Sequence, residues 1–140
     1  MPLGVTYVEV AAPRAALAAA AQRCFGFPDR AVGVVGVAGE GGKTTIAHLV
    51  QHLLGGASGK VGLLGTNRYD LGLRSVPAPR TTPESLEVFG LLAQMREAGC
   101  QRAVVELSAA GLARGRVRGL RLAAAVLTGD SDGTLLDQVL

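Results

Sequence analysis

The chain has 140 residues and a formal net charge of +3, with 49% hydrophobic residues and only 4% aromatics. A domain of this size buries roughly two thirds of the surface its unfolded form exposes, so this composition excludes disorder and asks for a core of Val, Leu and Ala rather than rings. The mild basic excess excludes a nucleic-acid partner, since its densest run, Arg114, Arg116, Arg118 and Arg121, has no aromatic beside it and reads as a solvated or anion-contacting loop.

"VTYVEV", residues 5–10, reads as a short strand from its β-branched content, and "PRAALAAAAQR", residues 13–23, as a helix opened by proline. "CFGFPDR" then reads as a linker, because Gly26 and Pro28 interrupt the pattern. From residue 31 the organisation repeats as strand, loop and helix. "AVGVVGV" is a continuous apolar run of strand length; the next helix runs from Lys43 to Leu54, where Gly55 and Gly56 are expected to stop it. "KVGLLG" is a second buried strand, followed by a loop containing Pro and Arg.

Thr82 is placed to cap a helix whose first residue is Pro83, with Val88, Leu91, Leu92 and Met95 at helical spacing and Gly99 after its end. "RAVVEL" (102–107) and "LAAAVLT" (122–128) complete four strands. Helices alternating with apolar strands predict an α/β fold, a mostly parallel sheet with helices on both faces and a ligand at the strands' carboxyl ends. Cys24 and Cys100 have no metal or redox spacing and read as reduced thiols. No apolar run approaches the roughly 20 residues that cross a bilayer. "AALAAAAQ" lacks the length and cleavage site of a signal peptide, so the expected address is the cytoplasm, without a membrane partner.

The chemistry gathers at "GVAGEGGKTT", residues 36–45. A strand enters a glycine-dense turn, Gly39-Glu40-Gly41-Gly42, and a helix begins at Lys43-Thr44-Thr45. Turn amides and the unpaired N–H groups of a helix start converge on phosphate oxygens; Lys43 adds a point charge and Thr44 a hydroxyl for Mg²⁺. Val37 stands where a strict Walker A pattern has its first glycine, so the match is the shorter form Gly39-x-x-Gly42-Lys43-Thr44. Glu40 opposes this use. At about 5 Å from a phosphate charge and an effective dielectric near 20, repulsion is about 3 kcal/mol unless the carboxylate faces solvent, so nucleotide binding is expected to be weak. Glu106, ending a strand beside this turn, supplies the oxygen a hard cation takes, or is a solvated strand-end carboxylate. His48 and His52 lie four apart on the following helix with no third ligand in view, and read as ordinary helix histidines. Asp130, Asp132 and Asp137 read as loop and helix-start chemistry, with an Mg²⁺ role as the alternative.

These segments in order resemble the Mur ligases, most nearly the MurE type, which adds an amino acid to UDP-N-acetylmuramoyl-L-alanyl-D-glutamate at the expense of ATP. The family loop G-T-N-G-K-T-T is kept at Gly39 to Thr45 except at Glu40 and Gly41. The resemblance implies a P-loop-containing Mur ligase central domain, truncated: residues 1–28 a remnant of an N-terminal domain and 29–140 part of the ATP-binding domain. It implies ATP and Mg²⁺ as cofactors. Gly39 to Thr45 would hold ATP, Lys43 and Glu106 would be catalytic, and Thr44 and Glu106 would bind the metal. Thr81, Thr82, Ser108 and Arg116 match residues the family uses on the UDP-muramoyl peptide, although Thr82 is equally a helix cap.

Departures are as specific. The family's E-V-S-S-H stands here as Glu106-Leu107-Ser108-Ala109-Ala110, and "GDSDGTLLD" replaces a stretch that supplies a histidine. The family's carbamylated lysine and C-terminal domain would fall outside these residues. Such a chain is expected to be silent as a ligase by itself, because positioning supplies much of the rate in such reactions. The alternative is a nucleotide-binding pseudoenzyme, a partner or regulatory module of cell-wall synthesis associated with a full-length Mur ligase.

Overall fold

A computed structural model describes residues 4–129. The elements in order are α1 (Pro13–Cys24), α2 (Pro28–Ala31), β1 (Gly33–Ala38), α3 (Lys43–Ser58), β2 (Val61–Leu64), β3 (Arg68–Asp70), β4 (Ser75–Pro77), α4 (Ser85–Glu97), β5 (Arg102–Leu107), α5 (Ala109–Ala113) and β6 (Leu122–Leu127). They build one six-stranded sheet in the order β4-β3-β2-β5-β1-β6. β1 pairs in parallel with β5 (Val35 opposite Val104) and with β6 (Val37 opposite Val126), and β2 pairs in parallel with β5 (Leu63 opposite Val104). β3 and β4 add an antiparallel hairpin to the β2 side, Leu64 opposite Tyr69 and Tyr69 opposite Val76.

The expected α/β fold with a mostly parallel sheet is present, and alternation along the strands explains its two layers. Ala103, Val105 and Leu107 of β5 face one core with Val88, Leu92 and Met95 of α4. Val104, one residue out of phase, joins Val37, Leu63 and Ala47 of α3 in the core on the opposite face. α1 and α2 lie over α4, outside the first core.

Several sequence expectations need correction. Residues 5–10 form no strand; Val5, Tyr7 and Val8 are exposed, and β propensity without a neighbouring edge to pair with leaves an extended segment unpaired. "CFGFPDR" is no free linker: Asp29 is buried, where its carboxylate accepts from Gln22 Nε2 at 3.2 Å and from the Arg121 N–H at 2.9 Å. Gly55 and Gly56 do not stop α3, since interior glycine costs only about 1 kcal/mol relative to alanine; the helix closes at Gly59, φ +82°, whose N–H reaches Gly55 O. The segment after β2, expected as a loop, contains the β3–β4 hairpin. Finally, α4 is capped by Glu84 through a reciprocal capping box with Glu87, not by Thr82, whose hydroxyl is committed elsewhere.

Candidate functional site

Three parallel strands end side by side, and each hands its next residues to one cleft of about 350 Å³ lined by Lys43, Thr44, Thr66, Thr81, Glu106 and Ser108. β1 runs into the turn 39–42. Gly39 has φ +141°, and a β-carbon on it would collide with the Thr128 side chain, so only glycine fits where the turn passes the end of β6. Thr128 in turn ties this crossing down, its N–H donating to Ala38 O at 2.8 Å. Gly42 opens α3 at φ +75° without a side-chain cap and without an acidic residue in the first turn. The first N–H groups of this sixteen-residue helix therefore open beside the cleft, and the N-cap glycine has no side chain to occupy them. Lys43 Nζ folds back to donate to Gly39 O at 2.8 Å, which stations the ammonium across the turn. Glu40 is exposed, as tolerance of an anion in this turn requires.

From β5 comes Glu106, fully buried at 0% exposure. Its Oε2 accepts from the hydroxyls of Thr44 and Thr66, both at 3.0 Å, and its Oε1 from the Thr66 N–H at 3.1 Å. Among the described residues no basic side chain forms an ion pair with it. A buried carboxylate is costly without compensating charge. One carboxylate and one hydroxyl at hydrogen-bond distance, both hard oxygens, beside an uncapped helix start, fit a small divalent cation accompanied by phosphate. Gly65 makes the approach possible, because a β-carbon there would overlap Glu106 Oε1.

The far wall is a hydroxyl cluster. Thr66 Oγ1 lies 3.1 Å from Thr81 Oγ1. Thr82, buried, donates to Glu106 O at 2.8 Å and accepts from the Ser108 N–H at 2.9 Å; Ser108 Oγ, 3.0 Å from the Thr82 hydroxyl, accepts from Gly111 N and caps α5. Thr82 is therefore a brace behind the cleft, while Thr81 and Ser108 line it. Arg116 stands further back. Its side chain is only 10% exposed, its Nη1 donates to Thr82 O at 3.2 Å, and its Nε lies 2.9 Å from Glu84 Oε1 in an ion pair too poorly aligned for a hydrogen bond.

The structure thus brings Lys43, Thr44, Thr45, Thr81, Glu106 and Ser108 to one cleft, with Gly39 and Gly42 shaping its turn, and places Thr82 and Arg116 behind it. Thr66 was missed by sequence reasoning. Its signal was positional, a hydroxyl residue directly after Gly65 at the carboxyl end of a buried strand. His48 and His52 border a separate cleft near Asp70, and no group of three metal-binding side chains exists among the described residues. Asp130, Asp132 and Asp137 lie outside the described residues. No helix among those described is long and apolar enough to cross a membrane.

Comparison with known proteins bears on the family and the fold. Residues 37–129 match the family model described as the Mur ligase middle domain. The UDP-N-acetylmuramoyl-L-alanyl-D-glutamate--2,6-diaminopimelate ligase of Solibacter usitatus is 40% identical over 126 residues, 90% of this chain and 26% of that protein. The UDP-N-acetylmuramyl-tripeptide synthetase of Deinococcus radiodurans is 46% identical over 125 residues, 87% of this chain and 26% of that protein. A solved structure of a UDP-N-acetylmuramoyl-L-alanyl-D-glutamate--2,6-diaminopimelate ligase superposes with a TM-score of 0.67 at 25% identity, covering 94% of this chain and 28% of that one. The chain spans about a quarter of the length of the curated relatives it matches.

Proposed function

The chain belongs to the Mur ligase family, and from that premise we propose that it is the nucleotide-binding part of a MurE-type ligase acting in the cytoplasm on peptidoglycan precursors. The observation that carries this reading is the meeting of Thr44 and Glu106 at 3.0 Å, beside an uncapped helix start and opposite Thr81 and Ser108. Residues 1–28 would then derive from a preceding domain and 29–140 from the ATP-binding one.

Bound ATP and Mg²⁺ would supply the phosphoryl group that activates a carboxylate of the UDP-muramoyl dipeptide. In this chain the turn amides and Lys43 hold and neutralise the phosphates, while Thr44 and Glu106 offer oxygens to the cation. Thr81 and Ser108 present hydroxyls toward the acceptor, with Thr82 and Arg116 keeping that wall in place. The residues present are thus assigned the binding of nucleotide, cation and acceptor.

Calorimetry tests the reading. Mg-ATP should bind, the exposed Glu40 carboxylate being turned to solvent, and Lys43→Ala should abolish the heat while the circular dichroism spectrum is unchanged. A wild-type chain that binds no nucleotide refutes it. A second reading, a pseudoenzyme that associates with a full-length ligase, is favoured by Arg116 being held by Glu84 and by Ala109 and Ala110 replacing a serine and a histidine of the family pattern. Retained biological function in Lys43→Ala would select it.

A further inference from the structure

The hydrogen-bond directions around Glu106 follow from proton counting. A carboxylate only accepts. The Thr66 hydroxyl, 3.0 Å from Glu106 Oε2, must spend its single proton there, and so must the Thr44 hydroxyl at the same distance. Thr66 Oγ1 has no proton left for Thr81, so at 3.1 Å it accepts the Thr81 proton. The Thr66 N–H meanwhile holds the other carboxylate oxygen at 3.1 Å. Two of the three donors to this buried, uncompensated carboxylate thus come from one residue. That residue follows β2, whereas Glu106 lies near the end of β5 and Thr44 in the first turn of α3, and it is itself exposed.

Resting on the nucleotide-site reading above, we propose that Thr66 is a positioning residue for cation binding: its hydroxyl and N–H clamp both oxygens of Glu106, keeping Oε2 turned toward Thr44. Without the Thr66 hydroxyl, Oε1 keeps the Thr66 N–H but Oε2 is left with the Thr44 hydroxyl as its one donor, the very group that meets the cation, so the pair of oxygens is no longer preset independently of the cation. Because Thr66 is exposed, exchanging its hydroxyl for a methyl leaves the core intact, and the backbone clamp survives any side-chain change.

The test uses the full chain with Mn²⁺ and ATP as probes. Mn²⁺ binding to the protein–ATP mixture is followed by electron paramagnetic resonance, and ATP binding in EDTA by displacement of a fluorescent ATP analogue. Thr66→Val should weaken Mn²⁺-ATP about tenfold and metal-free ATP less than twofold, and Thr66→Ser should restore the wild-type value. Thr66→Ala repeats the measurement should the valine variant fold poorly, as judged by its urea midpoint. Equal losses with and without metal, an unchanged Mn²⁺-ATP affinity, or no rescue by serine overturns the proposal while leaving the nucleotide site standing. Failure of the wild-type chain to bind ATP in either form overturns both.

Discussion

Gly65 lies so close to the Glu106 carboxylate that a β-carbon on it would overlap Oε1. Gly65→Ala therefore forces the buried carboxylate out of its place between Thr44 and Thr66. Overpacking of this kind costs about 1–3 kcal/mol, and the expected result is a lowered urea midpoint together with a tenfold or greater loss of Mg-ATP affinity. An alanine variant with wild-type stability and affinity would mean that Glu106 has freedom its three hydrogen bonds do not suggest.

Asp29 pins the N-terminal helices to the sheet. The carboxylate is 3% exposed and takes the Arg121 N–H at 2.9 Å, just before β6, together with Gln22 from α1. Hydrogen bonds to a charged group contribute about 1.5–3 kcal/mol, and both of these are part-buried. Asp29→Ala should lower stability by about that amount in a urea titration, and limited proteolysis should cut first between residues 24 and 32.

High pH should loosen the hairpin side of the sheet. Burial, then the Asp70 carboxylate, raises the Cys100 thiol above its ordinary value of 9.0, and burial, then Glu87, raises the Tyr69 phenol above its ordinary 10.0. Both folded-state values are raised, so the stabilisation is fully present below the unfolded values and is lost as pH rises through the folded ones. The urea midpoint should be insensitive to these two groups below pH 9 and fall above it. Replacing Cys100 by serine or alanine should remove the first part of that fall. A thiol reagent at pH 8 should modify exposed Cys24 at once and Cys100 only on unfolding.

The parts of this fold that were legible in the sequence are those set by local pattern. The apolar runs ending at Leu107 and Leu127 are strands because the runs are continuous and bounded, and α1 begins at Pro13 because proline suits a first helical turn. What escaped depends on partners distant in sequence. Residues 68–77 pair because β2 offers them an edge, and Val5 to Val10 stay unpaired because none is offered. At the site, Lys43, Thr44 and Glu106 could be named from the order of strand, turn and helix. Thr66 was passed over, since a strand-end position after Gly65 does not by itself reveal the distance to a carboxylate 40 positions away. Thr82 was read two ways, as a substrate contact and as a helix cap, and the cap is the one the structure overturns: its hydroxyl braces β5 and α5 instead of starting α4.

Because β5 enters between β1 and β2, those two earlier strands cannot adopt their final neighbours until residues 102–107 have left the ribosome. The 62-residue separation of Thr44 and Glu106 is thus a loop that must close before the two side chains meet, and such long closures are slow steps in assembly. Acquisition of metal-dependent nucleotide binding should consequently mark the completion of the central sheet in a refolding experiment, later than helix signals and at the same moment as burial of Met95.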